Sequence, residues 1–213
     1  MLYSKRRIGG FERKWRKMQR REITEKLLLL VKEKTMLPGI YGASEVSFDW
    51  GSENVRYVDY MTFSPKNTTS VSGIEEGIFT CYEIKSCYED LYSGKGLNFI
   101  GEKNYIVTTM SVYRKIVEDQ KKDLENGITD SAKGKLAEHI RKTNPESRYR
   151  IGYDVGILVA IPVNRSEIDE FDDPTPLDRQ DVVWKLAIMQ RCRETDRKRS
   201  MTEILFCMMR ARG

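Results

Sequence analysis

The chain has 213 residues and a mass of 24.9 kDa, the size of one domain with a core that needs no disulfide staples. Charged residues make up 32% and hydrophobic ones 39%, and the longest apolar runs, 27–31 and 156–163, fall far short of the roughly 20 residues of a membrane helix. One histidine, His139, and four cysteines with no Cys-x-x-Cys pair exclude zinc fingers, zinc ribbons, zinc deaminases and histidine-rich nucleases, so if the chain holds a metal, oxygen holds it.

The net charge of +5 is unevenly spread. Residues 1–22 hold nine Lys and Arg against Glu12 and Glu22, a charge of +7, with Tyr3, Phe11 and Trp15 interleaved. A basic arm of this kind is expected to touch a phosphate backbone, with Arg6, Arg7, Arg13, Lys14, Arg16 and Lys17 as DNA contacts. No apolar stretch follows it, so it does not read as a secretory signal, and with unpaired cysteines a cytoplasmic protein is expected.

The folded domain is expected over 23–190. Acids at 22 and 25 and one apolar face (Ile23, Leu27, Leu30, Val31) predict a helix over 23–34, which Pro38, Gly39 and Gly42 end. Stretches 44–50 and 55–63, rich in Val, Tyr, Phe and Thr around the turn "GSEN", predict a hairpin. After a polar connection over 67–77 come a strand over 78–85, a short helix over 88–92 and a loop held by three glycines. A strand over 104–109 follows, then a helix starting at Val112 that Ser111 can cap. Residues 118–150 are polar and partly helical, expected as an insertion or mobile lobe rather than core. Residues 154–163 predict an interior strand, 167–173 an acidic surface loop, and 182 onward a helix running into a basic end. That end, 191–213, carries +4, which leaves −6 on the 168 residues between the two basic ends. Solubilising tails, or segments docking on the acidic body, are the alternatives to nucleic-acid contact. The order of elements predicts an α/β fold with a mixed central sheet of about five strands flanked by helices.

Several motifs are incomplete. Gly39-Ile40-Tyr41 lacks the Tyr-Ile-Gly partner of the nuclease family named for it. Ser93-Gly94-Lys95-Gly96 lacks the first glycine of a phosphate loop and the Ser or Thr after its Lys. The acids of 167–173 lack the alternation and glycine of a calcium loop, and His139 stands among charged residues without a nucleophile pattern.

An acid-x-Lys tripeptide occurs four times, beginning at Glu12, Glu83, Asp119 and Asp196, and only Glu83-Ile84-Lys85 ends a strand pattern. There the period of two sets Phe79, Cys81, Glu83 and Lys85 on one face, with the two charges roughly 7 Å apart along the strand. Asp59, mid-strand among Val58, Tyr60, Met61 and Phe63, is an acid in a poor place for one. If the two strands are neighbours, Asp59 and Glu83 converge with the Ile84 carbonyl on an oxygen site suited to Mg²⁺ or Mn²⁺. Lys85 would then orient an attacking water or stabilise charge on a phosphate. A surface Glu–Lys pair beside an edge-strand Asp is the bland alternative.

This arrangement of an Asp on one strand, then Glu-x-Lys ending the next, behind a Glu-bearing helix, resembles the PD-(D/E)XK nuclease superfamily. "VDYMTF" and "CYEIKSCYEDL" carry the likeness, and "YSGKGLNFIGEKNYIVTT" resembles its small phage- and prophage-borne members. It spans about 24–163, strongest over 56–109; Val58 stands where the family has Pro. The resemblance implies a restriction-endonuclease-like fold, Mg²⁺- or Mn²⁺-dependent cleavage of DNA in a bacterial host, and a Glu completing the metal shell. Glu25 and Glu45 both qualify for that place. A homodimer is one oligomeric state open to the chain, beside the monomer. The rival expectation is a non-cleaving nucleic-acid-binding, repair or packaging protein on the same fold.

Overall fold

Glu22 accepts a hydrogen bond from the Gln19 N–H at 2.6 Å, satisfying one open donor where the first helix, α1 (Arg20–Thr35), begins. This and all that follows is seen in a computed structural model, which describes residues 19–143 and 154–211. The residues expected to touch DNA from the N-terminal arm, Arg6 to Lys17, lie outside the described residues.

Six strands form one sheet in sequence order: β1 (Tyr41–Phe48), β2 (Arg56–Ser64), β3 (Ile78–Lys85), β4 (Lys103–Thr109), β5 (Gly156–Pro162) and β6 (Trp184–Gln190). β1, β2 and β3 run as an antiparallel meander, β3–β4–β5 are parallel, and β6 returns antiparallel to β5. The α/β class and the mixed sheet agree with the expectation, and the sheet has a sixth strand.

The helices cover both faces. α1 buries Leu27, Leu30 and Val31 with Tyr60, Tyr82, Ile84, Val107 and Leu158 on one face. On the other, α3 (Tyr88–Tyr92), α4 (Met110–Glu125) and α5 (Lys135–Thr143) pack with Ile106, Ile157 and Val159. Beside them α7 (Met201–Ala211) lays Ile204, Cys207 and Met208 on Val46, Met61 and Phe79. β5, buried at every residue, is an interior strand as its apolar run predicts. Two short helices complete the set, α2 (Val71–Glu75) inside the polar connection and α6 (Glu167–Asp172) in the acidic stretch. Among the described residues no helix is long and apolar enough to cross a membrane.

Four expectations are corrected. The helix expected from 182 is first a strand, because β5 needs a partner for its outer backbone groups and β6 supplies it despite helix-forming Lys, Leu, Ala and Met. The expected insertion at 118–150 is not outside the core where it is described: α5 buries Leu136, Ala137 and Ile140, at spacings of one to four residues in an otherwise charged segment. Thr109, not Ser111, caps α4 by accepting from the Val112 N–H. The acidic loop is helical and hides Glu170, whose oxygens accept from Thr175 and pair with Arg165 at 3.2 Å.

The basic C-terminal end is part of the body rather than a tail. Arg197 pairs with the buried Glu102 at 2.6 Å, Arg199 donates to both oxygens of Asp49 at 3.0 Å, and Arg210 donates to the Ser47 carbonyl at 2.7 Å. Docking of a basic segment on an acidic body describes these three arginines.

Candidate active site

The β2–β3 ladder runs from Ser64 opposite Ile78 to Tyr60 opposite Tyr82 and goes no further. One more step would set Asp59 opposite Glu83. There the strands part, and the Asp59 side chain takes over from the backbone: the Ile84 N–H donates to its Oδ2 at 2.7 Å. A strand residue sends its N–H and C=O to the same side, which directs the Ile84 carbonyl toward the same gap.

The same register carries across β1, where Ser44 pairs with Tyr60 and Val46 with Val58, bracketing Glu45 opposite Asp59. Glu45, Asp59 and Glu83 therefore form a row of acids across three strands. Glu45 has a φ of 53°, a left-handed backbone that side-chain-bearing residues rarely hold and that costs about 1–3 kcal/mol. It is exposed, whereas Asp59 is half-buried and Glu83 is fully buried. Glu25 is not brought to the row; it pairs with Arg21 at 2.9 Å on the solvent side of α1.

Glu83 accepts through Oε1 from the Asn98 N–H at 3.0 Å. Its Oε2 is buried and has no partner. Burial, then the nearby Asp59 charge, push its carboxyl well above the ordinary carboxylate range; Lys85 and the main-chain N–H groups of Asn98 and Asp59 pull the other way. Burial also raises the Asp59 carboxyl, against the Ile84 N–H and Lys85, with smaller upward pushes from Asp90 and Glu45. Lys85, itself 4% exposed, donates from Nζ to the Lys95 carbonyl at 2.8 Å, and its own carbonyl accepts from Thr108. Its face of β3 is the one predicted, with Phe79, Cys81 and Glu83.

The structure thus brings Asp59, Glu83 and Lys85 together and adds groups that pattern reading missed. Asn98 holds Glu83, and Asp90, paired with Arg20 at 2.6 Å, reaches Asp59 electrostatically. The signal for Asn98 lies in the glycine-rich loop, which its residues invite comparing with a phosphate cradle rather than with a cover for the acids. Among the described residues no group of three His, Cys, Asp or Glu side chains is placed to hold a metal ion. Two carboxylates and a main-chain carbonyl make the available donor set, all hard oxygens, and the unpartnered Glu83 Oε2 fits a cation such as Mg²⁺ or Mn²⁺.

Other reactive groups are accounted for. Burial pushes the Cys81 thiol up to about 12, which silences it as a nucleophile. His139 stacks on Tyr92 with ring centres 3.8 Å apart. No protein-family model matches the chain, and no match was found among curated proteins or among solved structures.

Proposed function

We propose that the chain is a metal-dependent nuclease that hydrolyses DNA phosphodiester bonds through Asp59, Glu83 and Lys85, on a restriction-endonuclease-like fold of the PD-(D/E)XK kind. One observation carries the proposal: a fully buried carboxylate oxygen, Glu83 Oε2, has no partner and stands beside a second raised carboxylate and a buried lysine. Burying charge is costly unless it is paired or bound to metal, and this pair of acids repels itself. A ligand of positive charge is the natural remedy.

Asp59, Glu83 and the Ile84 carbonyl would hold a Mg²⁺ or Mn²⁺ ion, whose Lewis acidity would polarise the scissile phosphate. Asp59 would bind with an orientation already set, since its Oδ2 is tied to the Ile84 N–H. Glu83 offers Oε2, its other oxygen being held by Asn98. Lys85 brings a compact ammonium to the same face, suited to stabilising charge that builds on the phosphate. Its hydrogen bond to the Lys95 carbonyl is one that a phosphate oxygen can replace.

The second reading, a DNA-binding protein on this fold that does not cut, has one observation in its favour: among the described residues no three acids are grouped closely enough to hold a metal ion, Glu45 standing exposed beside Asp59 and Glu83. Titration of Mn²⁺ into the full chain, beside a plasmid-nicking assay, separates the two. The nuclease reading expects binding lost in Asp59→Ala and Glu83→Ala, and Mg²⁺-dependent nicking by the wild type. A wild type that neither binds Mn²⁺ nor nicks any DNA form overturns it.

A further inference from the structure

Residues 93–99 leave α3 and cross the site before β4 begins. Leu97 and Phe99 are each 1% exposed and sit in the core with Leu91, Ile106 and Ile140, which fastens the segment. Gly94 (φ +67°) is pressed against α5, where a side chain would collide with the Thr143 hydroxyl and approach the Ile140 backbone. Between these anchors the polar groups turn to the site. The Lys95 carbonyl accepts from Lys85 Nζ, the Asn98 N–H donates to Glu83 Oε1, and Asn98 Nδ2 donates to the Tyr57 carbonyl of β2 at 2.9 Å. Gly96 (φ +65°) lies where a Cβ would stand 3.3 Å from Lys85 Nζ and 4.0 Å from Glu83 Oε2, the unpartnered oxygen.

We propose that this strap is the positioning element of the site: its main chain holds Glu83 by one oxygen and Lys85 by its ammonium, while bare Gly96 keeps the space beside Glu83 Oε2 clear for its ligand. The inference rests on the metal-dependent reading above and assigns the strap a role within it. The physical reason is pre-organisation. A free glutamate turns easily about its terminal torsion, and a lysine stem has four flexible carbons. One backbone hydrogen bond to each removes that freedom before any ligand arrives. Gly96 and Asn98 are positioning residues, acting through Glu83 and Lys85. An alanine at 96 must accept a left-handed backbone and push its methyl toward Lys85 Nζ. Relief comes from a shift of the Lys85 ammonium or of the strap, and either strains the Lys95 and Asn98 hydrogen bonds.

The test compares Gly96→Ala with Gly127→Ala in the full chain. Gly127 is also left-handed (φ +79°), but a Cβ there meets nothing within 4 Å, so the two variants share the backbone penalty and differ at the site. Gly96→Ala is expected to weaken Mn²⁺ binding by about tenfold or more, the size of effect that follows loss of a supporting hydrogen-bond shell, whereas Gly127→Ala should keep the wild-type value. Amide hydrogen exchange at Asn98, protected by its bond to Glu83, should speed up by about tenfold or more in Gly96→Ala alone. Equal values in the two variants overturn the proposal. A wild type that binds no Mn²⁺ sinks the metal reading instead, and exchange at Asn98 then decides the strap unaided: fast in Gly96→Ala alone supports it, the same in both variants overturns it.

Discussion

Three buried glutamates show two ways of handling the same cost. Glu170 and Glu102 have both oxygens matched: Glu170 by Thr175 and Arg165, Glu102 by the Phe79 N–H at 2.9 Å and by Arg197. Each ties a distant or irregular segment to the sheet, and the buried charge is offset by an arginine. Glu83, equally buried, has one oxygen matched by a main-chain N–H, the other by nothing, and a second acid on the neighbouring strand. That bond ties the loop before β4 to the sheet, but the second oxygen adds nothing to the fold, whereas in the proposed function it would bind a cation. On the proposed reading, the contrast separates acids that hold the structure from acids that would hold a ligand.

The sharpest way to break the comparison is activity. Asp59→Ala and Glu83→Ala should each lower plasmid nicking by about 10³-fold or more, since they remove ligands rather than packing. Lys85→Ala should keep Mn²⁺ binding in a calorimetric titration and lose about 10²-fold in turnover, and Lys85→Arg should not restore it, because a planar fork cannot replace a compact ammonium.

Stability should move in opposite directions at the two kinds of acid. Glu170→Ala is expected to cost about 3 kcal/mol in chemical denaturation, since it leaves Arg165 and the Thr175 N–H without their acceptor. Glu83→Gln in metal-free buffer should instead raise Tm by roughly a few degrees at neutral pH and above. The sign follows from the raised folded carboxyls of Glu83 and Asp59. Their contribution is fully favourable below the unfolded value of about 4 and is lost as pH rises through the raised folded values. The gain from Glu83→Gln should therefore shrink on acidification toward pH 4 and reverse when Mn²⁺ is added. A Tm that falls at every pH would place Glu83 with the structural acids.

The smallest effect concerns the basic ends. With Arg197, Arg199 and Arg210 engaged on the body, the proposed contact with a phosphate backbone falls mainly to the basic residues of 1–18. Deleting residues 1–18 should flatten the salt dependence of DNA binding by about 0.9 in the log–log slope for each phosphate the arm neutralises, and leave Tm unchanged. An unchanged slope would remove the arm from the interface.

Patterns local to the chain were legible without a structure. The strand 78–85 and the helix 88–92 carry their own periodicity and breakers, and their bounds agree with β3 and α3. Glu83 and Lys85 share a face because a strand alternates, and Asp59 stands out because a mid-strand acid is out of place. What needed the tertiary structure was every choice that another segment makes. β6 is a strand because β5 lies open beside it, and α5 is core because Ile106 and Ile157 give its three apolar residues a surface. Glu45 rather than Glu25 shares the acids' register because β1 pairs with β2 while α1 packs on the opposite face. Asn98 reaches Glu83 only because Leu97 and Phe99 are buried on either side of it. The alternation that puts an acid on a face is written in neighbouring residues, but whether its second oxygen finds a partner depends on segments far along the chain, which only folding brings near.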